Sequence, residues 1–485
     1  MGALKTLFKQ TFIYGLATVL PRMLSFLLVR LHTGEGVLNS VADYGDVSLI
    51  YTYFVLFNVI LAYGMETAFF RFFYKEDDKD KVISTAALSL ICSSLLCFAL
   101  AWFFRASIGA VTNIQTEYIA LVIWTLLLDA LVIIPFAWLR ANQSPIKYAA
   151  IKILNVCISL GLNVFLLLYL KGLSTTGGLF EMIYQPNYEV NYIFIANLVA
   201  SAVTLLLLLP FYTKVSFRFD AALWKKMMAY AWPILVAGIA FSINETFDRI
   251  LLERLLPKHI AKTEMGMYSA CYKLALFMTL FATGYRLGIE PFFFSQAKAE
   301  SPKKNYAKIL EFFVVIGSLI LLVVIVFADV LKIIFIGKDY WGAMWIVPVI
   351  LLANFCLGIY HNLSVWYKIT DRTKVGAYIS VFGAMVTLVL NLLLIKHFSF
   401  KASAVATLSA YASMMLMSYF LGRKYYPIPY NIKKIGLYMS ISIIFSIVSF
   451  YYFRANYYVG TSLILILLAT IWYQENQQIK QLLKR

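Results

Sequence analysis

The sequence predicts an all-α polytopic membrane protein of about 14 transmembrane helices. They are expected as two six-helix bundles related by a pseudo-twofold axis along the membrane normal, plus two C-terminal helices. Three observations predict this. Of 485 residues, 62% are hydrophobic and only 14% charged, against about 45–50% and about 25% in soluble domains. Apolar runs of helix length follow one another along the whole chain, and the chain repeats itself after about 220 residues. Such a composition excludes a disulfide scaffold, a disordered chain and an ordinary cytosolic enzyme.

A helix crossing the hydrocarbon core takes about 20 apolar residues. Runs of that kind lie near 9–32, 43–70, 82–104, 117–139, 148–170, 190–212 and 229–256. They continue near 265–295, 306–328, 342–367, 375–396, 402–422, 434–453 and 457–474. They are numbered here as spans 1 to 14. The first contains Pro21-Arg22 and no small-residue cleavage site, so it reads as an uncleaved span. Aromatic residues crowd the ends, as in Trp102-Phe103-Phe104 and Tyr451-Tyr452-Phe453, which suits the membrane interface. Twenty-seven Lys and Arg fall in loops or at span ends on the side of the N-terminus, and eleven in the loops or span ends opposite. The bias places both termini in the cytoplasm. The formal net charge of +18 thus sits in short loops, where it signals topology and meets anionic lipid, rather than on a soluble face built for nucleic acid. The five cysteines all fall in apolar runs without metal-ligand spacing and read as packing residues.

The repeat is carried by three matches in the same order. Gly64-Met65-Glu66 with Phe69-Phe70 answers Gly288-Ile289-Glu290 with Phe293-Phe294. Gly45 and Tyr51 answer Gly266 and Tyr272, and Leu162-Asn163 answers Leu390-Asn391. An even number of spans per copy gives both copies one orientation. Transporters built this way place their path between repeats; an old duplication with no surviving mechanism is the plainer reading. The division expected is an N-terminal bundle over 1–213, a cytoplasmic interfacial linker over 214–228, a C-terminal bundle over 229–424, and two extra helices over 425–485.

An ionisable residue at mid-membrane costs several kcal/mol and is tolerated where it faces a cavity or a partner. Span 1 carries Arg22 and Arg30, span 2 Glu66, span 4 Asp129 and span 10 His361. Span 7 carries Asn244, Glu245, Asp248, Arg249, Glu253 and Arg254; span 8 carries Lys273, Arg286 and Glu290. The charges therefore concentrate in the first two helices of each copy. Arg22, Arg30, Arg249, Lys273 and Arg286 are the candidates for an electropositive site, since guanidinium forks match phosphate oxygens with two donors at once. Glu66, Asp129, Glu245 and Asp248 are candidates for ion coupling, to a proton or sodium. Plainer readings stand beside these. Glu245, Arg249 and Glu253 are spaced to neutralise one another along one helix face, as are Arg286 and Glu290. Arg30 is placed to snorkel outward. Gly284 and Gly288 suit close packing as well as a hinge.

No phosphate-binding loop, zinc motif or Ser/His/Asp arrangement is legible. The longest outer loop, from Lys171 to Asn191, holds only Glu181 and Glu189 as acids. No enzyme, metal or cofactor is expected.

The opening Thr11-Phe12-Ile13-Tyr14-Gly15, with Leu20-Pro21-Arg22 and Phe26-Leu27-Leu28-Val29, resembles the first span of polysaccharide flippases. These belong to the multidrug/oligosaccharidyl-lipid/polysaccharide exporter superfamily. Tyr44-Gly45, Asp248-Arg249, Gly266-Met267-Tyr268 with Tyr272-Lys273, and Gly337-Lys338-Asp339-Tyr340 with Val347-Pro348 are similar to that family too. The resemblance covers spans 1 to 12. It implies two six-helix bundles working by alternating access, and export of an undecaprenyl-pyrophosphate-linked oligosaccharide across a bacterial inner membrane. It implies a headgroup role for Arg22, with Arg30 and Lys273 behind it. Arg30 and His32 stand where many relatives have Pro and Tyr, and fourteen spans resemble the lipid II flippase branch. A cation-coupled multidrug exporter of the same superfamily is the second reading, and a polysaccharide polymerase or ligase a third, for which no large outer loop exists. The orientation is directly measurable: green fluorescent protein fused to the C-terminus should fluoresce, and alkaline phosphatase inserted in the loop at Glu35 should be active. The reverse pattern would invert the topology.

Overall fold

The computed structural model describes residue 20 and residues 23–24, 26–175, 177–216, 218–296, 302–370 and 372–483, as backbone alone at 287–288, 290–296, 373 and 476–483. Every regular element among the described residues is a helix. Thirteen of these helices are long and apolar enough to cross a membrane, and they take up spans 2 to 14. The chain is a multi-pass membrane protein. It forms two compact units, Met1–Met267 and Tyr268–Arg485.

In the first unit, span 2 opens on a capping box. Ser40 Oγ accepts from Asp43 N–H at 3.2 Å and Asp43 Oδ2 accepts from Ser40 N–H at 3.0 Å, which satisfies two donors the helix leaves orphaned. The span is broken into Val41–Ala62 and Met65–Lys75 by Tyr63 and Gly64, both left-handed at φ 33° and 73°. Glycine is required at the second position twice over. Its φ is unfavourable for other residues, and a Cβ there would come 2.7 Å from the Ala231 carbonyl oxygen of span 7. Tyr63 is held by a hydroxyl bond to Ser89 at 2.7 Å, and the Trp224 indole donates to the same Ser89 oxygen at 2.8 Å.

Span 7 is one 35-residue helix, Ala221–Leu255, with Pro233 inside it. Residues 221–228, read from sequence as part of an interfacial linker, are its first two turns. Asp220 caps it by accepting from Leu223 N–H at 2.7 Å and pairs with Lys81. Leu223, Met227 and Ala231 bury one face of these turns in a cluster with Met65, Phe69 and Phe72 of span 2. That burial, rather than the headgroup region, sets the direction of the segment.

The two glycines matched by the repeat meet each other. A Cβ on Gly45 would overlap the Lys262 carbonyl, and one on Gly266 would overlap the Val41 carbonyl. Small residues let the two backbones touch. Beside this crossing Lys262 pairs with Asp46 at 2.7 Å.

In the second unit, spans 9 and 10 interlock through reciprocal pockets: the Phe355 ring lies over Gly317 and the Phe313 ring over Gly358. The last two spans are fastened to span 9 and its following loop. At one end Arg454 grips Asp329 with two bonds, Nε at 3.0 Å and Nη2 at 3.1 Å, and Lys332 completes the cluster. At the other, Lys434 pairs with Glu475 at 2.5 Å and Glu311 at 3.4 Å, while Tyr438 donates to Glu475 at 3.0 Å.

Two outcomes follow from these contacts. Gly45→Val should destabilise the protein by roughly 1–3 kcal/mol, the range for overpacking, lowering its thermal midpoint in detergent. For Asp329, burial raises the carboxyl pKa, but the bonds from Arg454 and Lys332 outweigh it and hold the pKa below its ordinary 3.8. A depressed acid contributes stability above its unfolded value and loses it as pH falls through the folded one. Asp329→Asn should therefore cost stability at pH 7, by about 2 kcal/mol, and the gap to wild type should close as the pH drops well below 4.

Candidate functional site

Arg22 lies outside the described residues. Arg30 is exposed. The other candidates fall into groups that the fold treats differently, beginning with a polar track inside the first unit.

Span 5 carries Lys152, Asn155, Ser159 and Asn163, at steps of three and four that line one helix face. Span 6 answers with Asn197, Ser201 and Thr204 at the same spacing. Asn155 donates to Thr204 at 2.9 Å and Ser159 to Asn197 at 3.0 Å, and Asn197 donates to the Tyr51 hydroxyl at 2.5 Å. Asn163 donates to the Ser159 carbonyl at 2.7 Å. Its amide oxygen therefore faces His32, whose Nε2 lies 2.8 Å away and must carry the proton. Asp129 of span 4 joins the track by accepting from Ser201 at 2.7 Å. One hydroxyl donor is a thin replacement for the water around a carboxylate. Lys152 sits with its ammonium 4.3 Å from the Phe136 ring centroid.

Three further acids of the unit, Glu66, Asp248 and Glu253, are held by bases. Glu66 pairs with Arg140 at 2.8 Å, and the Arg140 guanidinium lies over the Phe70 ring. Glu253 accepts from Asn113 at 2.8 Å and pairs with Arg254 at 3.4 Å, while Arg254 donates to the Val111 carbonyl. Buried in span 7, Arg249 bonds Asp248 at 2.8 Å and the Glu245 carbonyl at 2.7 Å. The i, i+4 reading of Glu245, Arg249 and Glu253 did not foresee the neighbour Asp248 as the partner. An adjacent pair reaches because the guanidinium doubles back along the helix, bonding its own backbone carbonyl one turn earlier.

In the second unit Lys273 and Arg286 are both half-buried on span 8. Glu290 has no described side chain. Arg286 is the strongest of the charges acting on the His361 imidazole of span 10, with Lys368 second. Asn391, matched by the repeat to Asn163, donates to the Thr387 carbonyl four residues back at 2.7 Å and accepts from Ser403 at 2.8 Å. The polar track and His361 were not singled out from sequence as site residues. The spacing of polar residues on span 5 was the available signal. Among the described residues no group of three His, Cys, Asp or Glu could hold a metal ion.

A family model described as "Polysaccharide biosynthesis protein" matches residues 7–285. No curated protein matches the sequence. Among solved structures the chain is similar to "Lipid II flippase MurJ, inward closed conformation", at 17% identity and TM-score 0.74, covering 96% of this chain and 99% of that one. It is similar to an inward-facing multidrug resistance MATE family transporter of the MOP superfamily, at 11% identity and TM-score 0.64, covering 89% and 96%. A MOP superfamily transporter from Pyrococcus furiosus, described as having a binding pocket of reverse polarity, matches at 11% and TM-score 0.57, covering 86% and 95%. At these identities the likeness is one of fold: a membrane protein with the fold of flippases and exporters.

The span 7 pair separates structure from substrate. Asp248→Asn leaves a buried arginine without its carboxylate and should cost about 3–5 kcal/mol. The double variant Asp248→Leu with Arg249→Met should recover much of that thermal stability. Recovery of stability without recovery of transport would assign Arg249 a role beyond packing.

Proposed function

The chain belongs to the polysaccharide biosynthesis protein family, and from that membership we propose that it flips a lipid-linked oligosaccharide. The substrate is an undecaprenyl-pyrophosphate-linked sugar unit, moved from the cytoplasmic to the outer leaflet of a bacterial inner membrane by alternating access. Both termini are cytoplasmic in this reading. The observation that carries it is the family match through spans 1 to 8, joined to membrane-embedded bases on the same spans. The pyrophosphate sheds water as it enters, and Arg22, Lys273 and Arg286 supply the donors that replace it. The lipid tail stays in the bilayer while the sugar follows the headgroup. Asp129 carries the coupling ion, a proton or sodium, since Glu66, Asp248 and Glu253 are already engaged by arginines.

That engagement weighs against the neighbouring reading of a cation-coupled drug exporter, whose cationic substrates call for unoccupied carboxylates. Lipid II is the alternative substrate. Arg22→Ala and Lys273→Ala should each lower polymer export at least about tenfold, the loss of one charge-assisted contact, with folded protein still present in the membrane. Unchanged export in both variants, together with new drug sensitivity in a deletion strain, would replace this function with drug export.

A further inference from the structure

Spans 8 and 10 run side by side in the second unit in a register that can be read from two contacts. Asn354 Nδ2 donates to the Ala275 carbonyl at 3.2 Å, and a Cβ on Gly358 would lie 3.2 Å from the Ala282 Cβ. Residues 275, 282 and 286 lie on one face of span 8, and 354, 358 and 361 on one face of span 10. One turn beyond the Gly358–Ala282 contact, that register brings Arg286 beside His361, and the Arg286 charge acts on the imidazole more strongly than any other. Both side chains are half-buried. Among the described residues, no hydrogen bond or ion pair engages the Arg286 guanidinium or either nitrogen of the His361 ring. Lys368, the second charge acting on the ring, is also positive. Elsewhere in the chain, the buried Arg249 of span 7 is engaged by Asp248.

We infer that Arg286 and His361 form an anion-binding site of the second unit that takes a phosphate of the pyrophosphate headgroup. The inference rests on the flippase reading for the identity of that anion. Arginine offers a planar fork of donors to phosphate oxygens, and histidine a single directional donor. The two come from parallel helices at one depth, so they can reach one phosphate from two sides. A histidine in this position adds a contact that a sequence scan for arginine and lysine passes over.

The test uses the full-length protein in nanodiscs of phosphatidylcholine, with inorganic pyrophosphate as the probe and calorimetry as the readout. Wild type should bind saturably. His361→Gln and Arg286→Gln should each weaken the affinity about tenfold, the loss of one charge-assisted contact, with thermal midpoints near wild type. His361→Asn serves where the glutamine variant does not fold. Wild type that fails to bind pyrophosphate, or His361 variants that bind it as tightly as wild type, would overturn the assignment. So would loss of pyrophosphate affinity in nanodiscs of phosphatidylglycerol, which would give the site to a bilayer phospholipid. Polymer export measured alongside separates the two claims. Histidine-dependent binding in a protein that exports nothing leaves the site and removes the flippase. Export with affinity indifferent to both residues removes the site and leaves the flippase.

Discussion

A polar group inside the hydrocarbon core must find a partner within the protein or remain costly, and that constraint organises this structure. The small cases are settled locally: Thr52, Thr125, Thr204 and Thr407 each donate to a carbonyl four residues earlier in their own helix. The amides and serines of spans 5 and 6 settle one another across the helix interface. The charges need longer reach. Lys434 draws Glu311 and Glu475 of two other spans to the base of the last pair of helices. Each such bond fixes which helix faces which, so the polar minority of residues specifies a packing that uniform apolar surfaces would leave degenerate.

The repeat shows this constraint at work twice. Asn163 and Asn391 both turn their amide nitrogen to a carbonyl one turn back, at 2.7 Å in each case. The local bond satisfies one end of the side chain and leaves the oxygen as a fixed acceptor. Its donor differs between copies: His32 in the first and Ser403 in the second. In both cases the side chain presents its amide oxygen to a donor on another residue.

The spans were legible because the bilayer imposes length and apolarity on each helix separately, and those properties belong to the sequence alone. The break at Tyr63-Gly64 was not, because it depends on how closely span 7 approaches at Ala231. Nor was the continuity of span 7 down to Ala221, which follows from burial of Leu223 and Met227 against spans 2 to 4. Sequence picked out ionisable residues by the cost of placing them in a membrane, and Arg249, Arg286 and Asp129 were among those it named. It could not supply partners. Helix periodicity offered Glu245 and Glu253 to Arg249, and folding added Asp248. His361 stood in the same list of ionisable residues, but its place beside Arg286 came only from the register between spans 8 and 10.

Partners, once known, divide the embedded charges into two kinds. Asp329 with Arg454 and Glu475 with Lys434 are complete within the chain, and removing either member leaves an uncompensated charge; they hold the last two spans in place. Arg286 is different in kind, because among the described residues it draws on no carboxylate. Leaving a cation unanswered in the membrane forfeits stability that a single nearby acid would restore. On the proposed assignment, a substrate phosphate supplies negative charge to Arg286 for part of the working cycle. The strength of that temporary bond must also be limited, since a guest held as firmly as Asp329 holds Arg454 would not leave on the far side. Two contacts of modest strength, from Arg286 and His361, meet both conditions better than one buried salt bridge.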